Sequence, residues 1–153
     1  MATKKFIPIK KHDSWLHLIR QKALVERHFP CFVCTLQVRS GVLDCTGEIQ
    51  PCPECDPCKV HINLTKGGVP RVKILSPIIQ PCGAIHMYSN GTLCLYDHRD
   101  QPWMVDDNLH EKIIPWTAEW LVYYELFKLD GKWLGPEAPH GNAPKKPQGV
   151  TKP

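Results

Sequence analysis

Apolar residues recur at two different periods along this chain, and the change of period divides it. Trp15, Leu16, Leu18, Ile19, Ala23, Leu24 and Val25 follow a three-to-four spacing, with Arg20, Gln21, Glu26 and Arg27 on the other face. That spacing predicts an amphipathic helix. His12-Asp13-Ser14 supplies its start, with Asp13 or Ser14 as cap, and Phe29-Pro30 its end. From Cys31 the period drops toward two. Phe32 to Val38 runs into a Ser40-Gly41 turn, and Val42 to Ile49 runs back. Pro51 to Pro57 is a loop, Lys59 to Leu64 alternates through Val60, Ile62 and Leu64, and Lys66-Gly67-Gly68 turns into Val69 to Leu75. The expectation is a meander of four antiparallel strands. Residues 97–112 are polar and read as a loop anchored by Trp103. Pro115 then opens a second helix, where its missing N–H costs nothing, and Gly131 stops it. Trp116, Trp120, Tyr123, Tyr124 and Phe127 make an aromatic stripe on that helix, a spacing that fits core packing.

Composition changes this picture only at the ends. At 153 residues and 42% apolar, the chain is long enough for one domain with its own core. No run approaches the roughly 18 apolar residues of a membrane span. Met-Ala-Thr-Lys-Lys is not followed by a signal-peptide core, so the expected location is the cytoplasm, with no membrane partner. In that compartment the eight cysteines are expected as thiols or metal ligands. The formal charge of +4 comes from the termini: of 19 basic residues seven lie in 1–11 and 136–153, and of 15 acidic residues one does. Twelve basic against fourteen acidic residues remain in 12–135, a net of −2, which argues against a nucleic-acid partner. The division expected is a basic segment 1–11, a folded domain 12–135, and a Pro-rich tail 136–153 without fixed structure.

Candidate chemistry concentrates in Ile85-His86-Met87-Tyr88-Ser89-Asn90-Gly91-Thr92-Leu93-Cys94-Leu95-Tyr96. Asn-Gly is a strong turn signal, because both residues tolerate positive φ. A turn there folds His86 back toward Cys94, eight positions on. A thiol beside a polar group is the minimum kit for acyl-thioester chemistry, a nucleophile and a stabiliser for an oxyanion. The plain alternative is that Cys94 is a small buried hydrophobe. His98 and Asp106-Asp107 follow in the loop and could orient an incoming amine, or be solvated loop residues; Tyr96 and Trp103 would wall the site.

The remaining cysteines pose a metal question. Cys31-x-x-Cys34 and Cys52-x-x-Cys55 formally match a zinc spacing. Cys31 to Cys34 reads as strand, however, and side chains three apart in a strand face opposite ways. Cys52, Cys55 and Cys58 lie in a Pro-rich loop better suited to ligation. If Ser40-Gly41 centres a hairpin, residue 31 falls roughly opposite residue 50, and Cys31 could complete a four-thiolate set. The alternative is a Pro-rich turn with uncommitted thiols. No metal ligand and no cofactor site is assigned.

The order of elements, helix, four-strand meander, His–Cys segment, loop and helix, resembles the α+β fold of ubiquitin-conjugating (carrier) enzymes. Asn90-Gly91-Thr92-Leu93-Cys94-Leu95 is similar to that family's stretch around its catalytic cysteine, and Pro115-Trp116-Thr117 to its Trp/Pro segment. Together with His86, Tyr88, Tyr96, Ile114 to Leu121 and Tyr124-Glu125, these motifs resemble, over about residues 13–135, the bacterial single-domain carrier-like proteins of CBASS anti-phage operons. One departure stands out. The eukaryotic family places an asparagine eight residues before its cysteine to support the oxyanion, and here that position is His86, with no proline before it. A neutral imidazole N–H could give the same hydrogen bond, and Asn90 is the other candidate donor.

The resemblance implies a thioester carrier. Cys94 would accept a C-terminal glycyl group, and His86 would stabilise the oxyanion during transfer to an acceptor-protein lysine. The implied partner is a cGAS/DncV-like nucleotidyltransferase, conjugated through its C-terminal tail. No Gly-rich phosphate loop is present, so a partner must deliver the carboxylate already activated. The other readings are a catalytically inert carrier-like docking module and a zinc-stabilised interaction protein.

Overall fold

Leu18, Gln21 and Val25 sit three and four residues apart, and they form the stripe that helix α1 (Ser14–His28) buries. This corrects the placing of Gln21 on the polar face: it is 0% exposed, while the apolar Leu16 and Ile19 lie outside. The computed structural model describes residues 14–136. The expected cap Asp13, the basic segment 1–11 and the tail beyond Pro136 lie outside the described residues.

Four strands follow, β1 (Val33–Gln37), β2 (Val42–Ile49), β3 (Cys58–Thr65) and β4 (Arg71–Ser76), in one antiparallel sheet of order β1-β2-β3-β4. Alternation puts Cys34, Leu43, Cys45, Val60, Ile62 and Val72 on the buried face. On the other face Asp44 accepts hydrogen bonds from Gln37 and Asn63 and lies 2.9 Å from the His61 ring nitrogen. Gly47 has to be glycine because Phe32 lies across it: a Cβ there would come within 2.5 Å of the phenyl ring. Helix α1 packs against β1 and β2. Its Lys22 Nζ donates to the Cys34 carbonyl at 2.8 Å, and its Glu26 carboxylate accepts from the Cys34 N–H at 3.2 Å. Polar groups on the outer edge of β1 are thereby satisfied from the helix.

Beyond β4 the chain makes one 3-10 turn, Gly83–Ile85, that the sequence reading did not anticipate. The stretch 97–112 also differs from the expected loop, because its end is a π-helical turn, Leu109–Ile113, leading into α2 (Ile114–Asp130). Pro115 has no N–H to close an ordinary turn, and the Ile114 N–H reaches back to the Leu109 carbonyl. His110, Glu111 and Lys112 make this turn look polar, yet Leu109 and Ile113 at its two ends are fully buried. Trp120 and Leu121 are the buried part of the aromatic helix, with Trp116, Tyr124 and Phe127 packed beside them. Gly131 ends α2 in the left-handed region at φ 74°, donating its N–H to the Phe127 carbonyl. Among the described residues no helix is long and apolar enough to cross a membrane.

Gln21 is the tie between α1 and this second half. Its Nε2 donates to the Asp107 carbonyl at 3.1 Å and to Asn108 Oδ1 at 3.0 Å, and its Oε1 accepts from the Leu109 N–H at 2.8 Å. Gln21→Leu keeps the volume but strands these buried groups. Urea unfolding should show it about 2–4 kcal/mol less stable, since each orphaned group costs ~1–3 kcal/mol. A loss below ~0.5 kcal/mol would mean the tie is not a structural one.

Candidate active site

Tyr88-Ser89-Asn90-Gly91-Thr92 closes a small hairpin. The Tyr88 N–H donates to the Thr92 carbonyl and the Gly91 N–H to the Tyr88 carbonyl, both at 2.9 Å. Gly91 alone in the loop takes positive φ, 82°, so the connection is a three-residue loop and not a turn with Asn90 and Gly91 both left-handed. Asn90 contributes through its side chain, which accepts the Thr92 N–H at 2.9 Å. Met87 then pairs with Leu93, and the Cys94 N–H donates to the His86 carbonyl at 2.8 Å. His86 and Cys94 are thus brought opposite one another. Leu93 N–H donates to the Val72 carbonyl at 2.9 Å, which fastens the hairpin to β4.

The thiol of Cys94 is half-buried at this edge. Tyr88 lies on the same face of the hairpin, diagonal to it, and its phenol donates a hydrogen bond to the sulfur. That bond, ahead of burial and the repulsion of a thiolate, pushes the Tyr88 pKa from 10.0 to about 12. His86 has a left-handed backbone, φ 56° and ψ 50°, unusual for any residue but glycine. It is 7% exposed, and its ring packs against Trp133 at 5.4 Å between centroids. Trp133 in turn contacts Trp120 and Tyr123, and Trp120 Nε1 donates to the Ile85 carbonyl at 2.9 Å. The aromatic stripe of α2 is therefore core packing whose upper end supports the histidine.

Beside the hairpin runs a cleft of about 280 Å³. Val69, Pro70, Arg71 and Val72 form one side; Tyr88, Asn90, Thr92, Leu93, Leu95, Tyr96 and His98 form the other. Tyr96 is a wall as expected, with its phenol pushed above its ordinary value by burial, then by Asp107 and Cys94. Trp103 does not line this cleft; it packs half-buried against the core. His98 is exposed, edge-on to Tyr96 at 4.6 Å. Asp107 is committed to its own loop, accepting from the Met104 N–H at 2.7 Å and pairing with Lys112 at 2.6 Å. Asp106 is exposed and acts on His17 of α1.

The other cysteines are dispersed. Cys52 and Cys55 are joined by a disulfide, which corrects the expectation of eight thiols or ligands. Residue 31 does not face residue 50: Gln37 pairs with Val42, so the hairpin is centred between Arg39 and Ser40, one residue earlier than Ser40-Gly41, and Cys31 Sγ lies 3.5 Å from the Glu48 carbonyl. Cys58 faces the core, where burial pushes its thiol up. Among the described residues no three His, Cys, Asp or Glu side chains converge on one point, so a four-thiolate set from Cys31, Cys52, Cys55 and Cys58 is not assembled. Cys34 and Cys45, directly opposite on β1 and β2, hydrogen-bond to each other; Cys34 is pulled down by that bond and Cys45 raised by it.

Two residues near the thiol escaped sequence reasoning. Tyr88 stood in the motif without a role, because the three-residue loop that puts it on the cysteine's face does not follow from the Asn90-Gly91 dipeptide. Trp133 carried no local signal.

Tyr88 supplies a spectroscopic check. Followed by phenolate absorbance or ring chemical shift, one tyrosine of the wild-type protein should ionise toward pH 12. In Cys94→Ala that tyrosine should ionise earlier, because the hydrogen bond holding its proton is gone. An unchanged late tyrosine would break the assigned Tyr88–Cys94 contact.

A family profile for the type II CBASS E2 protein matches residues 21–141. No match was found among curated proteins. The profile spans more than half of the chain and includes the sheet, the hairpin with Cys94 and all of α2. The chain belongs to the type II CBASS E2 protein family.

Proposed function

We propose that this protein is an acyl carrier acting through a thioester on Cys94, in the manner of ubiquitin-conjugating enzymes, within bacterial anti-phage defence. The observation that carries the reading is one half-buried thiol, held opposite His86 by a hairpin and hydrogen-bonded by Tyr88, in a chain of the CBASS E2 family.

The Cys94 thiolate attacks the carbonyl carbon of an activated C-terminal glycine, and a tetrahedral oxyanion forms. Its collapse expels the activating group and leaves a Cys94 thioester. A lysine amine then attacks the same carbon, loses a proton to solvent, and expels the Cys94 thiolate as the amide forms. The His86 imidazole N–H donates to the oxyanion in both steps, a contribution of roughly two to three powers of ten in rate. The Tyr88 phenol, already donating to the sulfur, stabilises the departing thiolate in the second step. The donor would be the C-terminal tail of a cGAS/DncV-like nucleotidyltransferase, activated by a partner, and the acceptor a protein lysine.

Co-expression of a tagged protein with its genomic neighbours, followed by a non-reducing gel, tests the carrier step. Wild type should give a larger species that thiol reductant removes. Cys94→Ser should give a reductant-resistant oxyester, and Cys94→Ala none. No adduct in any lane would reduce the protein to a docking module.

A paired set of His86 variants tests the oxyanion role. Asparagine tolerates the left-handed backbone and carries an N–H donor, so His86→Asn should retain most of the transfer rate. His86→Ala should lose about 100- to 1,000-fold in single-turnover transfer. Equal rates for the two variants would move the role elsewhere, Asn90 first.

A further inference from the structure

Two buried thiols lie outside the site at Cys94. Cys34 on β1 and Cys45 on β2 are partners directly across the sheet, and neither is in a disulfide. The main chain of Cys34 fixes which kind of pair this is. Its N–H donates to Glu26 and its carbonyl accepts from Lys22, so both groups point outward from the sheet edge, away from β2. In an antiparallel ladder that is the pair without mutual main-chain hydrogen bonds. Its Cα atoms lie roughly 4.5 Å apart, and its side chains approach more closely than those of the alternate pairs. Disulfides bridge Cα separations of about 4.4–6.8 Å, so these two sulfurs can join with the strands left where they are.

The thiols already touch. Cys45 donates its S–H to the Cys34 sulfur. That bond, assisted by the Lys22 ammonium, holds the Cys34 thiol below its ordinary range against burial and the Glu26 charge. The same contact, followed by burial, raises Cys45. One sulfur therefore ionises first, and the other waits beside it with its proton. Exposure divides them the same way, 5% for Cys34 and 0% for Cys45. A buried cysteine that only fills space does so without a second sulfur. An attacking and a resolving thiol have to be neighbours, as these are.

We propose that Cys34 and Cys45 are an oxidation site, at which hydrogen peroxide closes a reversible disulfide that staples β1 to β2. The Cys34 thiolate attacks one peroxide oxygen and the O–O bond breaks. The hydroxide released takes up the proton Cys34 gave to solvent, and Cys34 is left as a sulfenic acid. The Cys45 sulfur then attacks the Cys34 sulfur, the S–O bond breaks, and the departing hydroxide leaves with the Cys45 proton. Two thiols are oxidised to one disulfide, and one peroxide is reduced to two waters. Unlike Cys52–Cys55, which lies within a single loop, this bond joins two strands and fastens the edge strand on which α1 packs.

A peptide map tests the site. The protein as purified is exposed to hydrogen peroxide, quenched in acid, alkylated in denaturant and digested with trypsin. Cleavage after Arg27, Arg39 and Lys59 leaves Cys34 with Cys31 in residues 28–39, and Cys45 with Cys52, Cys55 and Cys58 in residues 40–59. Wild type should give these two peptides linked, with fragment ions placing the bond between Cys34 and Cys45, and dithiothreitol should part them. Cys31→Ser should keep the link and Cys45→Ala should lose it. Peroxide should also raise the melting midpoint of wild type by about 5 °C, the scale of a bridge that closes a short loop, and should not raise that of Cys45→Ala. Unlinked peptides after peroxide, or a link placed at Cys31, would overturn the oxidation site. A Cys34–Cys45 link without the rise would overturn the staple. If Cys45→Ala does not fold, the wild-type map decides by itself.

Discussion

The Leu93 N–H bonded to the Val72 carbonyl is the contact on which the site depends. A two-stranded hairpin with a three-residue loop has little stability alone in water. Fastened to β4, and with Met87 and Leu93 buried beneath it, it becomes an extension of the sheet. Everything proposed for the thiol follows from that docking: His86 across from it, Tyr88 diagonal to it, and a cleft between the hairpin and the start of β4. A site built on a sheet is held more firmly than one on a free loop.

His86 sits where the backbone itself limits which side chains fit. The position demands a left-handed conformation, and among residues with side chains asparagine, aspartate and histidine enter that region most readily. Asparagine and histidine also carry an N–H donor, which aspartate as a carboxylate lacks. The eukaryotic enzymes that this chain resembles have asparagine there. Histidine here meets the left-handed backbone and carries an N–H, and its ring rests on Trp133.

What the sequence made legible was whatever depends on local period or on a turn dipeptide. The strand Val42 to Ile49 was placed to the residue, because its alternation is unbroken and a turn precedes it. The approach of His86 to Cys94 followed from Asn90-Gly91, although the loop type did not. Gln21 was misplaced because a buried amide looks polar until its partners, 86 to 88 residues away, are known. The turn at Leu109–Ile113 was hidden by three polar residues between two buried ones. The Cys52–Cys55 disulfide was missed because the expected compartment argued for thiols. The cleft could not be read at all, since its two sides come from residues some twenty positions apart.

The two outer strands of the sheet share a property with a bearing on how partners are recognised. On β1 the Cys34 N–H and carbonyl are engaged by Glu26 and Lys22, and on β4 the Val72 carbonyl is engaged by the site hairpin. Neither border offers an unbroken row of main-chain groups to an incoming strand. A tail or segment brought to Cys94 therefore gains little by lengthening the sheet at β1 or β4, a mode that accepts almost any sequence, and its side chains carry more of its recognition.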